Sequence, residues 1–422
     1  MEVIEVTTTV NIFEERESAV RSYCRKWPVV FDRAAGAWLY DEDGRPYLDF
    51  FSGAGALNYG HNNPVLKEAL LEYLARDGVV HSLDMYTAAK ADFLTALDEL
   101  VLRPRGLDYK VQFPGPAGTI AVEAALKLAR KVTGRTGVAC FTDGFHGMTM
   151  GALAVTGNGF YRRAGGLPLS DAARLPYDLS LDGRVPDFCW FDRLLDDSGS
   201  GLDLPAAVIV ECVQGEGGIN VASPSWLRGL AERCRQHEIL LIVDDVQMGC
   251  GRTGPFFSFE VAGIEPDIVC LSKSIGGYGF PLALTLFRRE LDVWAPGEHS
   301  GTFRGIDPAL VTGCAALRAY WSDGELESRT AANGKRVAAE LASITALVPG
   351  ARARGRGMAH GIEFAAPGMA AKVAAAAFDL GLVIETAGPD DQVVKLLPPL
   401  TIGDDELSQG LSLLAEAAGH VA

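Results

Sequence analysis

Basic residues are scarce in this sequence: 38 Lys and Arg stand against 54 Asp and Glu, a formal charge of −16 and a pI near 4.9. Such a surface repels phosphate backbones, so nucleic acid is not an expected partner. It suits an ordinary solvated surface more readily than one adapted to salt. No apolar run approaches the roughly 18 residues of a spanning helix, so no membrane segment is expected. The N-terminus, MEVIEVTTTV, has no basic stretch followed by an apolar core, so no secretory leader is expected either. Cysteine is sparse, with eight residues, and includes no C-x-x-C pair. With only seven histidines there is no His/Cys cluster at zinc spacing, and no metal site is expected. Cys212 and Cys270 sit in apolar runs as small hydrophobes. A reducing, cytoplasmic setting follows.

Glycine, in contrast, is abundant. It provides 48 of 422 residues, against a usual share of about 7%. Tight turns and close backbone approaches to a ligand are the expected use. Short strands are predicted near Val29–Phe31, Trp38–Tyr40 and Tyr47–Phe50, with a hairpin turn at Asp43-Gly44. The chain start is expected to be loose to about Asn11. In the middle, helical stretches alternate with fully apolar runs at Val138–Phe141, Ala206–Val210, Ile239–Val243, Ile268–Leu271 and Leu282–Leu286. Apolar runs without alternation indicate strands buried on both faces. Between two of them, Ser223–Glu238 carries a cap at Ser223, Pro224 at the first helical position, and Trp226, Leu227, Leu230 and Cys234 at helical spacing. Strand, helix, strand is a βαβ crossover, so the fold class is α/β with a mostly parallel sheet.

After about Ala315 the pattern is helical, then mixed. Strands are predicted at Met358–Phe364, Val383–Thr386 and Val393–Leu397, helices at Ala370–Leu380 and Asp405–Ala418, and a loop at Ala351–Gly357. Three parts are expected: residues 1–60 as an N-terminal segment of a small domain, 61–314 as a large α/β domain, and 315–422 as a small α+β domain.

The chemistry-bearing residues lie where those strands end. Ile239–Val243 runs directly into Asp244-Asp245. A carboxylate there needs a cationic partner, such as a protonated pyridine nitrogen; a helix cap or an ion pair is the plainer use. Lys273 follows 29 residues later, after the next apolar run. Desolvation lowers a lysine's pKa and frees its lone pair to attack an aldehyde; alone, a snorkelling surface lysine is the commoner case. Together, Asp244 and Lys273 would stand at adjacent strand ends. Gly118-Thr119 precedes a helix predicted from about Ile120 to Val132, stopped by Gly134, and a helix N-terminus binds anions. Phe145-His146-Gly147 places a flat ring after a strand, suited to stacking on a planar ligand or to a packed core. Gln247 can reach a ring oxygen, and Gly301-Thr302-Phe303-Arg304-Gly305 suits an anion or an ordinary turn.

Asp244-Asp245-Val246-Gln247-Met248-Gly249, then Gly251-Arg252-Thr253-Gly254, then Ser272-Lys273 resembles the class III aminotransferases, which have the pyridoxal-phosphate fold of type I. The resemblance implies pyridoxal 5'-phosphate as cofactor and the middle domain as its binding domain. It makes Lys273 the covalent attachment point, Asp244 the partner of the ring nitrogen and Gln247 the contact of the phenolic oxygen. It further implies a phosphate cup at Gly118 and Thr119, ring stacking by Phe145 beside His146, and Glu211 and Glu216 at the site. Thr302 corresponds to a phosphate contact from a neighbouring subunit, which implies a homodimer or higher homo-oligomer. Phe13–Ser18, Phe51–His61, His81–Met85 and Phe145–Thr149 narrow the likeness to the diaminobutyrate–2-oxoglutarate transaminase branch, over about Ile12 to Leu413. That branch implies transfer from L-glutamate to L-aspartate 4-semialdehyde, the first step of ectoine biosynthesis.

Two departures stand out. Lys395 in Val393–Leu400 occupies a place where many class III enzymes have an arginine for a substrate carboxylate, leaving Lys395, Arg304 and Glu216 as the candidate substrate contacts. Ile120 follows Gly118-Thr119 where a small polar residue is expected. Aminotransferases acting on ornithine, acetylornithine or 4-aminobutyrate would keep the same catalytic residues. A mutase or decarboxylase on this fold would need no keto-acid partner, and a non-catalytic binding protein would not need Lys273.

Overall fold

The computed structural model describes residues 8–421 except 167, 168, 170 and 179–187. Its centre is a seven-stranded sheet. The strands are β1 (Tyr109–Gln112), β2 (Val138–Phe141), β3 (Ala172–Leu175), β4 (Ala207–Val210), β5 (Leu240–Asp244), β6 (Ile268–Leu271) and β7 (Leu284–Arg288). Their spatial order is β1-β7-β6-β5-β4-β2-β3. Only β7 runs antiparallel to its neighbours. All five strands predicted from apolar runs occur, within two or three residues at their ends.

The two unpredicted strands, β1 and β3, are the sheet's edges. Each is only partly buried and has no continuous apolar run to betray it. Interior strands are buried at nearly every residue, because helices cover both faces.

Two helices matter most for the site. Helix α1 (Gly118–Thr133) begins two residues earlier than predicted and ends at Gly134, whose φ of 70° is left-handed. Helix α2 (Pro224–Gln236) links β4 to β5. The Ser223 hydroxyl accepts the Trp226 N–H at 3.2 Å, and Trp226, Leu227, Leu230 and Cys234 are buried against the sheet.

The remaining elements join the two ends of the chain. Antiparallel strands Phe31–Ala35, Trp38–Asp41 and Pro46–Asp49 form a meander. Gly44 in its second turn has φ 81°. The predicted strand Val29–Phe31 is displaced onto Phe31–Ala35. Leu382–Val383 pairs in parallel with Pro46–Asp49, so the C-terminal part completes the N-terminal sheet. A second four-stranded sheet contains Arg352–Arg356, Ala359–Glu363, Val393–Leu396 and Glu385–Ala387.

Three expectations need correction here. The run Val383–Thr386 is two strands in two different sheets, because the chain crosses between them at Ile384. Ala351–Gly357 is not a loop: Arg352–Arg356 is an edge strand, whose arginines reach outward to Glu363 and to the Ser258 carbonyl. The chain start is not loose throughout, since Thr8–Arg16 is helical, while residues 1–7 lie outside the described residues. Among the described residues no helix is long and apolar enough to cross a membrane.

Because the Ser223 hydroxyl satisfies an otherwise free N–H at the start of α2, Ser223→Ala is expected to cost about 1 kcal/mol. A denaturant midpoint identical to that of the parent protein would show that this cap contributes nothing.

Candidate active site

The carboxyl ends of the parallel strands converge on one cavity of about 240 Å³. Asp244 ends β5, and Glu211 follows β4 directly. Lys273 lies just beyond β6, and Phe145 and His146 follow β2. Asp244 and Cys270 are register partners across β5 and β6, which puts Lys273 and Asp244 at adjacent strand ends. Gly118, Thr119, Phe145, His146, Glu211, Glu216, Asp244, Gln247 and Lys273 all line this cavity. A larger cavity of about 710 Å³ lies at the opposite, amino-terminal end of β5, beside Arg228 and Arg288, and holds none of the predicted residues.

Asp244 is 5% exposed, and its two oxygens are held. His146 Nδ1 lies 2.7 Å from Oδ2, and Oδ1 accepts the Val246 N–H at 3.1 Å. Burial alone would lower the His146 pKa, but the bond and charge of Asp244 outweigh it and the net direction is up. His146 therefore acts on the cavity through Asp244 as well as lining it. Glu211 accepts the N–H groups of Phe145 at 2.9 Å and Gly215 at 3.3 Å. Burial, then the nearby Asp244 charge, pushes it up to about 7 against the pull of His146. Asp245 faces away from the cavity. It accepts the Ser258 N–H at 2.8 Å, and burial raises it to about 7.

Lys273 sits in a left-handed conformation, φ 54°, which is uncommon for a side chain that is not glycine. Its Nζ donates to the Ala54 carbonyl at 2.8 Å. Desolvation lowers its pKa to about 8, opposed by Glu216 and Glu385 and reinforced by Lys395. Ala54 belongs to a turn, Ser52-Gly53-Ala54, in which all three φ values are positive. Asp49 secures the turn by accepting the Phe51 and Ser52 N–H groups, each at 2.8 Å. The same Ala54 carbonyl accepts Gln247 Nε2 at 2.9 Å. No motif marks Ala54 in the sequence, because it contributes a carbonyl and not a side chain.

Gln247 Nε2 also donates to Glu216 Oε1 at 3.0 Å, and its buried Oε1 has no partner. The amide is thus committed to protein on its donor side. Glu216 in turn meets Lys395 Nζ at 2.6 Å. Burial would raise Glu216, but Lys395 and then Lys273 pull it down to about 2.

Thr119 is held by Thr149, with hydroxyl oxygens 2.7 Å apart, and Thr149 donates to Glu123 Oε1 at 2.6 Å. Glu123, unremarked in the sequence, also accepts the Gly151 and Ala152 N–H groups. Ile120 lies against Gly115 and does not line the cavity, so the departure at that position leaves the wall unchanged. Thr302 is exposed on a short turn, and Arg304 is paired with Asp84. Within one chain neither reaches the cavity. Lys395 is fully buried behind Glu216.

The donor set fits pyridoxal phosphate. A buried carboxylate stands fixed at one end of the cavity, a desolvated lysine beside it, and a glycine-led helix start at a third side. Gly118 leaves no spare room: a Cβ there would lie 2.7 Å from Val246 Cγ1. Gly118→Ala is therefore expected to displace the helix start and weaken cofactor retention by about tenfold or more, measured by equilibrium dialysis. Unchanged retention would show that the phosphate is held elsewhere.

The aminotransferase class-III family matches residues 20–418. The chain is 65% identical to the diaminobutyrate–2-oxoglutarate transaminase of Nocardia farcinica over 99% of its own length and 95% of that protein's. It is 62% identical to the Streptomyces avermitilis enzyme of the same name, over 98% of both chains. Among solved structures, an amine transaminase from an uncultivated Pseudomonas species in its PLP-bound form superposes with a TM-score of 0.84 at 26% identity, covering 96% of this chain and 98% of that one. The ornithine aminotransferase of Toxoplasma gondii superposes with a TM-score of 0.84 at 25% identity, over 98% and 94%. With the family matched over nearly the whole length, and its lysine and aspartate facing one cavity, this chain belongs to the class III aminotransferases.

Proposed function

We propose that the protein is a pyridoxal-phosphate-dependent transaminase that moves the amino group of L-glutamate to L-aspartate 4-semialdehyde, giving L-2,4-diaminobutyrate and 2-oxoglutarate. The observation that carries this reading is identity of 65% and 62% to transaminases of that name across the whole chain. Likeness to the ornithine enzyme is far lower, 25%, which favours diaminobutyrate over the other terminal-amine substrates. The ectoine route rests on the same likeness.

When bound, pyridoxal phosphate supplies an aldehyde carbon that amines attack and a ring that takes up the electron pair released at the reacting carbon. Lys273 Nζ, desolvated and held by the Ala54 carbonyl, is the attachment point and afterwards the base that moves the proton at the carbon bearing the substrate nitrogen. Asp244 keeps the ring nitrogen protonated, and His146 fixes the carboxylate in place. Gly118 and Thr119 would hold the phosphate, and Phe145, which lines the same cavity, would stack on the ring. Lys395 is the group for a substrate carboxylate, reached when that carboxylate takes the place of Glu216. Gln247 serves the phenolic oxygen once its bond to Glu216 is released.

A homodimer or higher homo-oligomer is part of this proposal. Thr302 and Arg304 lie outside the cavity of their own chain, beside exposed Phe303 and a segment with exposed Val80, Leu83, Met85 and Tyr86 that the His81–Ile306 bridge and the Arg304–Asp84 ion pair join to theirs. On that reading Thr302 enters the partner's phosphate site, and Arg304 borders it. Substrates are small amino and keto acids.

Lys273→Ala is expected to abolish turnover and the yellow absorbance of the loaded enzyme. Diaminobutyrate added to the parent enzyme should bleach that absorbance rapidly, and 2-oxoglutarate should restore it. Equal or faster bleaching by ornithine or 4-aminobutyrate would keep the aminotransferase and overturn the diaminobutyrate assignment.

A further inference from the structure

Lys395 has two counter-ions, and only one of them belongs to the cavity. Its Nζ lies 2.6 Å from Glu216 Oε1 and 2.9 Å from Glu385 Oε1. The Glu216 side chain is 25% exposed and lines the cavity; the Glu385 side chain is 2% exposed and does not. Glu385 is the direct cross-strand partner of Lys395, fixed by the register of Glu385–Ala387 against Val393–Leu396. Glu216 instead sits in the turn between the short strands Val213–Gln214 and Asn220–Val221, opposite no strand, and shares its Oε1 with Gln247 Nε2 at 3.0 Å.

Two carboxylates on one ammonium sum to −1 in a buried place. A single well-placed carboxylate would neutralise Lys395, so the second is costly for stability alone. It has a use if one counter-ion must be replaceable. A carboxylate arriving from the cavity can take the place of Glu216 but cannot reach Glu385.

We propose that Glu385 is a positioning and specificity residue: as the fixed counter-ion of Lys395, it weakens the hold on a carboxylate-bearing donor relative to a donor whose reacting carbon carries none. The inference rests on the transaminase reading above and adds a residue to it. Without Glu385, Lys395 would hold glutamate and 2-oxoglutarate too tightly. A donor whose reacting carbon carries no carboxylate leaves Glu216 on Lys395 and is not held in this way.

The groups around Glu385 are Lys395 on its partner strand, Glu216, Lys273, and the phenols of Tyr23 and Tyr161. Burial pushes both phenols up, so they stay neutral near pH 7. Burial raises Glu385 to about 7, against the pull of Lys395 and with the push of Glu216. Below that value Glu385 is protonated and Lys395 is less compensated. Carboxylate binding is therefore tighter at low pH and weakens as pH rises through about 7.

The test is glutarate binding to the loaded enzyme by calorimetry, together with both half-reactions. Glutarate is a dicarboxylate without an amine, so its binding needs no turnover. Glu385→Gln removes one charge next to Lys395 and is expected to tighten glutarate by about tenfold and to lower KM for glutamate relative to that for diaminobutyrate. It should also flatten the pH dependence of glutarate binding. Weaker binding of glutarate, or equal loss toward both donors, would reduce Glu385 to a structural ion-pair partner and overturn the proposal. If the variant fails to fold, the parent enzyme decides: glutarate affinity that does not fall between about pH 6 and pH 8 overturns it as well. A parent enzyme that binds glutarate as expected but does not react with diaminobutyrate would strike the substrate assignment and leave the role of Glu385 standing.

Discussion

Buried charge at the carboxyl ends of β5 and β6 is the constraint to which the rest of the site answers. Asp244, Glu211, Glu216, Glu385, Lys273 and Lys395 are brought close together where water is largely excluded. None can be ionised there without a partner. His146 answers Asp244, two backbone N–H groups answer Glu211, and Lys395 answers Glu216 and Glu385. Among the described residues Lys273 has only the Ala54 carbonyl as a direct hydrogen-bond partner, and it is the group whose pKa falls to about 8. The least compensated cation is thus the one the chemistry needs as a free amine.

Holding these groups apart from solvent and close to one another places demands on the backbone. Lys273 and the turn Ser52-Gly53-Ala54 are left-handed, in a region that residues other than glycine adopt at a cost. Asp49 and the Ser274 hydroxyl stabilise the turn from two sides, through the Phe51 and Ser52 N–H groups and the Gly55 carbonyl. Ser274 is the residue after Lys273, so the lysine and the turn that holds it are tied together. Two left-handed segments thus meet at the Lys273 amine.

Much of this was legible beforehand, for specific reasons. Interior strands are buried on both faces, so their apolar runs mark them, and the residues that follow the runs are the cavity's polar groups. Asp244 and Lys273 each follow such a run, so their place is legible without any family likeness. Edge strands β1 and β3 escaped, as did Arg352–Arg356, because a strand with one wet face need not be apolar. Ala54 and Glu123 escaped for another reason. One offers only a backbone carbonyl and the other acts through Thr149, and neither use has a sequence signature.

By itself, then, the sequence determined the α/β class, the strand ends that carry Asp244 and Lys273, and a helix beginning within two residues of Gly118, since hydrophobic periodicity and turn chemistry are local properties. Only the tertiary structure decided which distant charges share a partner. Glu216, Glu385 and Lys395 are far apart in the chain, and their meeting depends on how one sheet's register sets Glu385 against Lys395 and on where the loop after β4 comes to rest. Pairing of that kind is a property of packed layers, because it depends on distances that no segment of the chain specifies alone.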